Sequence, residues 1–243
     1  MWFCTEKLGW VVRMCAAKVL FITGTDTDVG KTVVACGLLS AFNQAGYTTA
    51  ALKPVAAGAE QIGATLINAD AENLQHCASV SLPYGAVNPY VFPDAVAPHI
   101  AADNRGQVLT VAKLKEASQA ALQAHADYLV VEGAGGWLVP LNEQETLADF
   151  AMTITAEVIL VVGLKLGCIN HALLSEQAVR ASGLKVVGWV ANHISPAMPE
   201  SAANVEALCT HLAAPLLGEV AHMPKADSTA IGASLDLSSL ISA

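Results

Sequence analysis

An α/β fold, with a mostly parallel β-sheet and helices on both faces, is what this 243-residue sequence predicts. Two observations predict it. Short apolar runs of strand length alternate with segments of helical periodicity, and a parallel sheet covered on both faces requires that alternation. The first of those runs is apolar throughout and is closed by a glycine, the pattern of a strand buried on both sides.

That first strand is Lys18–Thr23, ended by Gly24. A loop bearing Gly and Asp follows, then a helix over Lys31–Ala45 that Gly46 ends. Thr49–Lys53 reads as a second strand, stopped by Pro54. Residues 55–69 read as loop and Asp70–Cys77 as a short helix. Ser81–Pro98 holds four prolines and reads as a long irregular loop. Helical periodicity covers Thr110–Ala126. Tyr128–Glu132, Glu157–Val162, Lys185–Ala191 and Pro215–Val220 are further strands, with helices near Asn170–Ser182 and Glu200–Ala213 between them. No internal repeat, low-complexity tract or linker divides the chain. Residues 14–243 are therefore expected to form one domain. Residues 1–13 fit no strand–helix alternation and are expected to lie outside its core.

Composition narrows the function classes. The chain has 12 Lys+Arg against 21 Asp+Glu, a net charge of −9, and its cations are scattered. Nucleic acid is excluded on that ground, because phosphate contacts need clustered Lys and Arg. Mean hydropathy is +0.49, yet no uncharged apolar run approaches the roughly 20 residues of a spanning helix. A membrane span is not expected. Charged residues make up only 14%, and a hydrophobic interface between copies would account for the missing surface charge. The six cysteines and seven histidines lie far apart, with no Cys-x-x-Cys. Buried, reduced thiols in a cytoplasm fit better than a zinc site or a disulfide framework. Met1–Lys7 lacks a basic leader region and Arg13 interrupts the apolar stretch behind it, a poor match to a signal peptide.

The strongest local signal is Gly24-Thr-Asp-Thr-Asp-Val-Gly30-Lys31-Thr32, between the first strand and the first helix. That is the context of a phosphate-binding loop, so the fold is expected to be P-loop NTPase-like. Backbone N–H groups and the helix N-terminus would face phosphates, Lys31 would add a cation, and the Thr32 hydroxyl could ligate Mg²⁺. The match is not strict, because Thr25 stands where the first glycine is usual.

Ligands of open parallel sheets bind beyond the carboxyl ends of the strands. Three of the nine lysines, Lys31, Lys53 and Lys165, map to that edge beside Glu132. Singly, Lys53 could be a solvated strand-end lysine and Glu132 a capping acid. Glu132-Gly-Ala-Gly-Gly-Trp137 resembles an acidic strand end feeding a glycine loop that a ligand can approach closely. A carboxylate there could hold Mg²⁺. Asp70, opening a short helix, reads first as a helix N-cap. Asn192 could cap a helix or bind an adenine edge. The histidines show no nucleophile–base spacing.

Seven motifs in order carry a more specific resemblance: Gly24–Thr32, Lys53-Pro-Val55, Val87-Asn-Pro-Tyr90, Pro98-His-Ile100, Val131–Trp137, Lys165-Leu-Gly-Cys-Ile-Asn-His171 and Gly188-Trp-Val-Ala-Asn192. Together they resemble dethiobiotin synthetase, over about Lys18 to Val220. The resemblance implies an ATP- and Mg²⁺-dependent ligase of biotin synthesis, usually a homodimer. Such an enzyme joins CO2 to 7,8-diaminononanoate and closes the ureido ring. It implies Lys53 at the carbamate and γ-phosphate, Lys31 bridging the phosphates, and Thr32, Asp70 and Glu132 at the metal. Nucleotide contacts would come from Thr27, Asp28, Val29, Gly30, Lys31, Thr32, Val33, Asp70, Glu132, Gly133, Ala134, Gly135, Asn192, His193, Ala221, His222 and Met223. Substrate contacts would come from Lys53, Ala57, Gly167, Cys168 and Asn170, the last three from the partner subunit.

The sequence departs from the family in three places. Ala57 replaces a small hydroxyl residue, Gly218–Met223 lacks a proline after the strand, and residues 1–13 precede the usual start. Two other readings keep the fold: a switch ATPase whose output is dimerisation, and an inactive nucleotide-binding relative.

Overall fold

The computed structural model describes residues 17–196 and 198–241, so the expectation for residues 1–13 lies outside the described residues. The chain enters at β1 (Lys18–Gly24), turns through the glycine loop into α1 (Lys31–Gln44), and returns as β2 (Thr49–Leu52). Small elements follow: β3 (Val55–Ala56), β4 (Glu60–Ile62), β5 (Thr65–Ile67), α2 (Ala69–Cys77), α3 (Tyr84–Val87) and β6 (Tyr90–Val91). Next come α4 (Pro98–Asp103), α5 (Val111–Ala117) and α6 (Gln119–Leu122), then β7 (Tyr128–Glu132) and α7 (Leu147–Thr153). The chain then alternates through β8 (Glu157–Gly163), α8 (Cys168–Ala181), β9 (Val186–Asn192), α9 (Ser201–His211), β10 (Leu216–Val220) and α10 (Ser228–Ala233).

Six strands form one sheet in the order β10-β9-β8-β1-β7-β2, and every pairing is parallel. All six carboxyl ends therefore lie along one edge. Alternate residues of the central strands feed two cores. Phe21, Leu129, Val131, Val158, Leu160 and Val162 pack on one face, beneath α5, α7 and α8. Leu20, Ile22, Val130, Ile159 and Val161 pack on the other, beneath α1 and α10. Both faces are apolar, which explains why the strands read as continuous rather than alternating runs. The chain passes from β1 to the edge strand β2, returns to β7 between them, and then crosses to β8, β9 and β10 on the other side of β1. The crevice for a ligand opens beside β1, where that winding reverses. Among the described residues, no helix is long and apolar enough to cross a membrane.

The structure corrects several local expectations. Residues 55–69 are not plain loop but contain β3 and the β4–β5 hairpin, and Ser81–Pro98 contains α3 and β6. The helix expected over Thr110–Ala126 is two short helices, α5 and α6, that meet at the fully buried Ser118. α7 and α10 went unread. Each carries its own start signal: the Thr146 amide donates to Asp149 Oδ2 at 2.7 Å in a capping box, and Asp227 accepts from the Thr229 amide at 2.9 Å. Finally, Asn68 rather than Asp70 caps α2, accepting from the Ala71 amide at 3.3 Å. That frees the Asp70 carboxylate for other work.

Candidate active site

β1 ends at Gly24, and six residues carry the chain into α1 along the carboxyl edge of the sheet. The turn needs left-handed backbone at Asp28 (φ 57°) and Gly30 (φ 86°). A side chain at Gly30 would also run into the Asn192 amide. Asn192 ends β9 and donates from Nδ2 to the Val29 carbonyl at 2.8 Å, while the Val29 side chain is fully buried. The loop is thus braced from behind, with the first amides of α1 free to face the crevice.

Two lysines converge in front of it. Lys31 is 7% exposed, and its Nζ donates to the Asp26 carbonyl at 3.0 Å. Burial pushes its ammonium below the ordinary lysine value, against the opposing pull of Glu132. Lys53 is 4% exposed and donates to Glu132 Oε1 at 2.6 Å and to Asp70 Oδ2 at 3.1 Å. Burial alone would lower the Lys53 ammonium as well. The charges of Glu132 and Asp70, with a hydrogen bond to each, outweigh burial and hold it above the ordinary value. Glu132 Oε1 also accepts from the Thr32 hydroxyl at 2.9 Å. Its second oxygen, Oε2, is buried with no hydrogen-bond partner among the described residues.

Lys53 is held from its own backbone. Its amide donates to the Val87 carbonyl at 2.7 Å, and Asn88 Nδ2 donates to the Lys53 carbonyl at 2.7 Å. The Val87-Asn-Pro-Tyr90 motif therefore buttresses the Lys53 backbone. The crevice itself is a cleft of about 950 Å³. One wall is the phosphate loop and residues 132–135; the opposite wall is residues 56–58, residues 68–70 and the apolar run 95–98.

Thr32, Asp70 and Glu132 form a hard-oxygen donor set, and the orphaned Glu132 Oε2 gives a buried charge that a cation would satisfy. Among the described residues, no cluster of three or more His, Cys, Asp or Glu could hold a metal by itself. Two carboxylates and a hydroxyl fit Mg²⁺, which is held by one or two carboxylates together with substrate phosphates.

Residues 18–230 match the family described as an AAA domain. The chain is 49% identical over 217 residues to an ATP-dependent dethiobiotin synthetase of Pseudomonas aeruginosa LESB58, covering 89% of this chain and 95% of that one. The chain belongs to the ATP-dependent dethiobiotin synthetase family. A member of that family from Cellvibrio japonicus is 47% identical over 226 residues, covering 93% and 99% of the two chains. One from Salmonella typhi is 46% identical over 224 residues, covering 92% and 98%. Among solved structures, the septum site-determining protein MinD complexed with Mg-ADP from Pyrococcus horikoshii superposes with a TM-score of 0.53 at 19% identity, over 86% and 82% of the chains. That likeness concerns the fold alone: α/β, P-loop NTPase-like.

Within this dethiobiotin synthetase fold, the cleft gathers most of the residues that the sequence singles out. Thr27, Asp28, residues 30–33, Lys53, Ala57, Asp70 and residues 132–135 all line it. Others stand apart. Val29 lies behind the loop with Asn192. His193 Nε2 sits 3.2 Å from Glu219 Oε2, and Ala221, His222 and Met223 lie beyond β10 without lining the cleft. Gly167, Cys168 and Asn170 start α8, also outside the cleft. The Cys168 side chain is 1% exposed and packs inward, while Gly167 and Asn170 are exposed. Asn68 and residues 95–97 carry no reading in the sequence, whereas Pro98 belongs to the Pro98-His-Ile100 motif. Asn68 has a signal, since an Asn immediately before a helix is a cap candidate; residues 95–97 have none.

Proposed function

We propose that the chain uses ATP and Mg²⁺ to carboxylate 7,8-diaminononanoate with CO2 and to close the ureido ring of dethiobiotin, and that it does so as a cytoplasmic homodimer. The observation that carries this reading is Lys53. It is a buried ammonium at the mouth of the phosphate loop, aimed by Asn88 and flanked by two carboxylates. A cation in that place serves a reaction whose every intermediate is anionic.

One substrate amine captures CO2 as a carbamate. A carbamate oxygen attacks the γ-phosphate of ATP, ADP leaves, and the mixed carbamic–phosphoric anhydride results. The second amine attacks the anhydride carbon, phosphate leaves, and the ring closes. No protein nucleophile is required. The chain's contribution is to hold the reactants in line and to stabilise charge. Lys53 holds the carbamate against the γ-phosphate, and Lys31 leaves the Asp26 carbonyl to bridge the phosphates. The α1 amides receive the phosphate oxygens. Thr32, Asp70 and Glu132 would hold Mg²⁺, which supplies neutralising charge on the phosphates.

Two exposed leucines support the homodimer. Leu166 is 97% exposed and Leu174 56% exposed, on either side of the Gly167–Asn170 segment. An apolar surface of this kind beside a substrate motif fits a second copy covering it, with Gly167, Asn170 and the backbone of Cys168 serving the neighbour's diamine, since the Cys168 side chain is buried. The adenine would lie toward Asn192 and residues 221–223. Of the described cysteines, Cys36 and Cys168 are buried, Cys77 is partly buried and Cys209 is exposed. ATP turnover measured with and without diaminononanoate and bicarbonate tests the reading. Turnover that depends on both substrates supports it; turnover indifferent to the diamine indicates a switch ATPase, and none indicates an inactive relative.

A further inference from the structure

Lys165 is the one lysine of the carboxyl edge that the reaction above leaves without a task. It follows β8 and lies one turn before α8. Its Nζ meets Asp26 Oδ2 at 2.6 Å, across 139 residues of sequence. Asp26 is the hub of the phosphate loop. Its Oδ1 accepts from the Thr27 amide at 2.8 Å, and its carbonyl accepts from Lys31 Nζ at 3.0 Å. The two ends of the loop are pinned by other bonds, the Thr25 amide to the Val161 carbonyl at 3.0 Å and the Val29 carbonyl to Asn192. Between those two anchors, among the described residues, Asp26 alone ties the loop's outer half to the body of the sheet by a side-chain bond.

We infer that Lys165 is a positioning residue that acts through Asp26: it fixes the outer half of the phosphate loop and with it the starting place of Lys31. The inference rests on the ligase reading only in taking the loop to hold ATP. The hydrogen bond from Lys165 is the main cause that lowers the Asp26 carboxyl below its ordinary value, with the Thr27 amide second. Both side chains are about half exposed, 40% and 46%. An ion pair that open contributes little to overall stability. Its effect is local: a loop held in its binding conformation loses less freedom when phosphate arrives. The same segment continues into Gly167 and Asn170, so the pair also joins the nucleotide loop to the segment proposed to serve the neighbouring subunit.

The test is nucleotide binding without the diamine, read with a fluorescent ATP analogue and Mg²⁺ on the full chain. Lys165→Met should weaken binding by about fivefold or more with an unchanged melting temperature, and Lys165→Arg should restore most of it. In an Asp26→Asn background, Lys165→Met should change the dissociation constant by less than about twofold, because its route through the carboxylate is already cut. An equal penalty in both backgrounds would overturn the inference, since Lys165 would then act on the nucleotide directly or as bulk charge. No penalty in the wild-type background, or a loss of diamine binding alone, would also overturn it. Because the readout needs no product, failure of the ligase assay leaves this measurement standing.

Discussion

Lys53 concentrates the residue-scale account. It is buried against Glu132 and Asp70, so it serves both charge and structure. Lys53→Ala should lower turnover at least tenfold, about 1.4 kcal/mol of barrier. It should also lower the melting temperature, because removing one partner of a buried pair strands the other, at a cost of about 3–5 kcal/mol. Lys53→Met, which keeps much of the volume, should lose the same activity with a smaller packing defect. The sign of the pH effect follows from the raised ammonium. Its stabilisation is fully present below the ordinary lysine value of 10.5 and is lost only as pH climbs through the higher folded value. The melting-temperature gap between wild type and Lys53→Met should therefore stay constant from about pH 7 to about pH 9. A second residue-scale prediction concerns Glu132. Glu132→Gln keeps the shape but removes the charge, so the Mg²⁺ titration of turnover should shift to higher concentration. An unchanged titration would remove Glu132 from the metal site.

At the scale of elements, the glycine loop and its supports carry the prediction. Gly30→Ala puts a Cβ at positive φ and against the Asn192 amide, so nucleotide binding should be lost and stability should fall by about 1–3 kcal/mol. Thr146→Ala removes the capping box of α7 and should cost about 1 kcal/mol without touching nucleotide affinity. These elements also show what a sequence can and cannot tell. The loop was legible because phosphate chemistry demands Gly, Lys and Thr at a strand–helix junction. α7 was legible in principle from Thr146 and Asp149, yet its seven residues are too few for periodicity to announce. The break at Ser118 was not legible, since a buried serine between two helices leaves no pattern until packing places it. Asp70 shows the limit most clearly. Asn68 and Asp70 are both good caps, and only the fold decides that Asn68 takes that role and leaves Asp70 to face Lys53.

On the scale of the whole molecule, the six-stranded parallel sheet lines up Gly24, Leu52 and Glu132 at one edge, which is why lysines and acids distant in sequence meet. That convergence could be read from strand ends alone. Residues 95–97 of the cleft lining could not, because nothing local marks an apolar loop as a pocket lining; Pro98 is marked by the Pro98-His-Ile100 motif. The proposed dimer makes its own prediction. Chains carrying Lys53→Ala and chains carrying Asn170→Asp, each inactive alone, should regain activity when mixed, because one pocket of a mixed dimer holds both intact residues. Subunit exchange without recovery would place the whole site within one chain. The most direct measurement remains a product assay: purified protein with ATP, Mg²⁺, diaminononanoate and isotopically labelled bicarbonate. One labelled dethiobiotin should form for each phosphate released. Phosphate released at the same rate without the diamine, and no labelled product with it, would show that the chain is not this ligase.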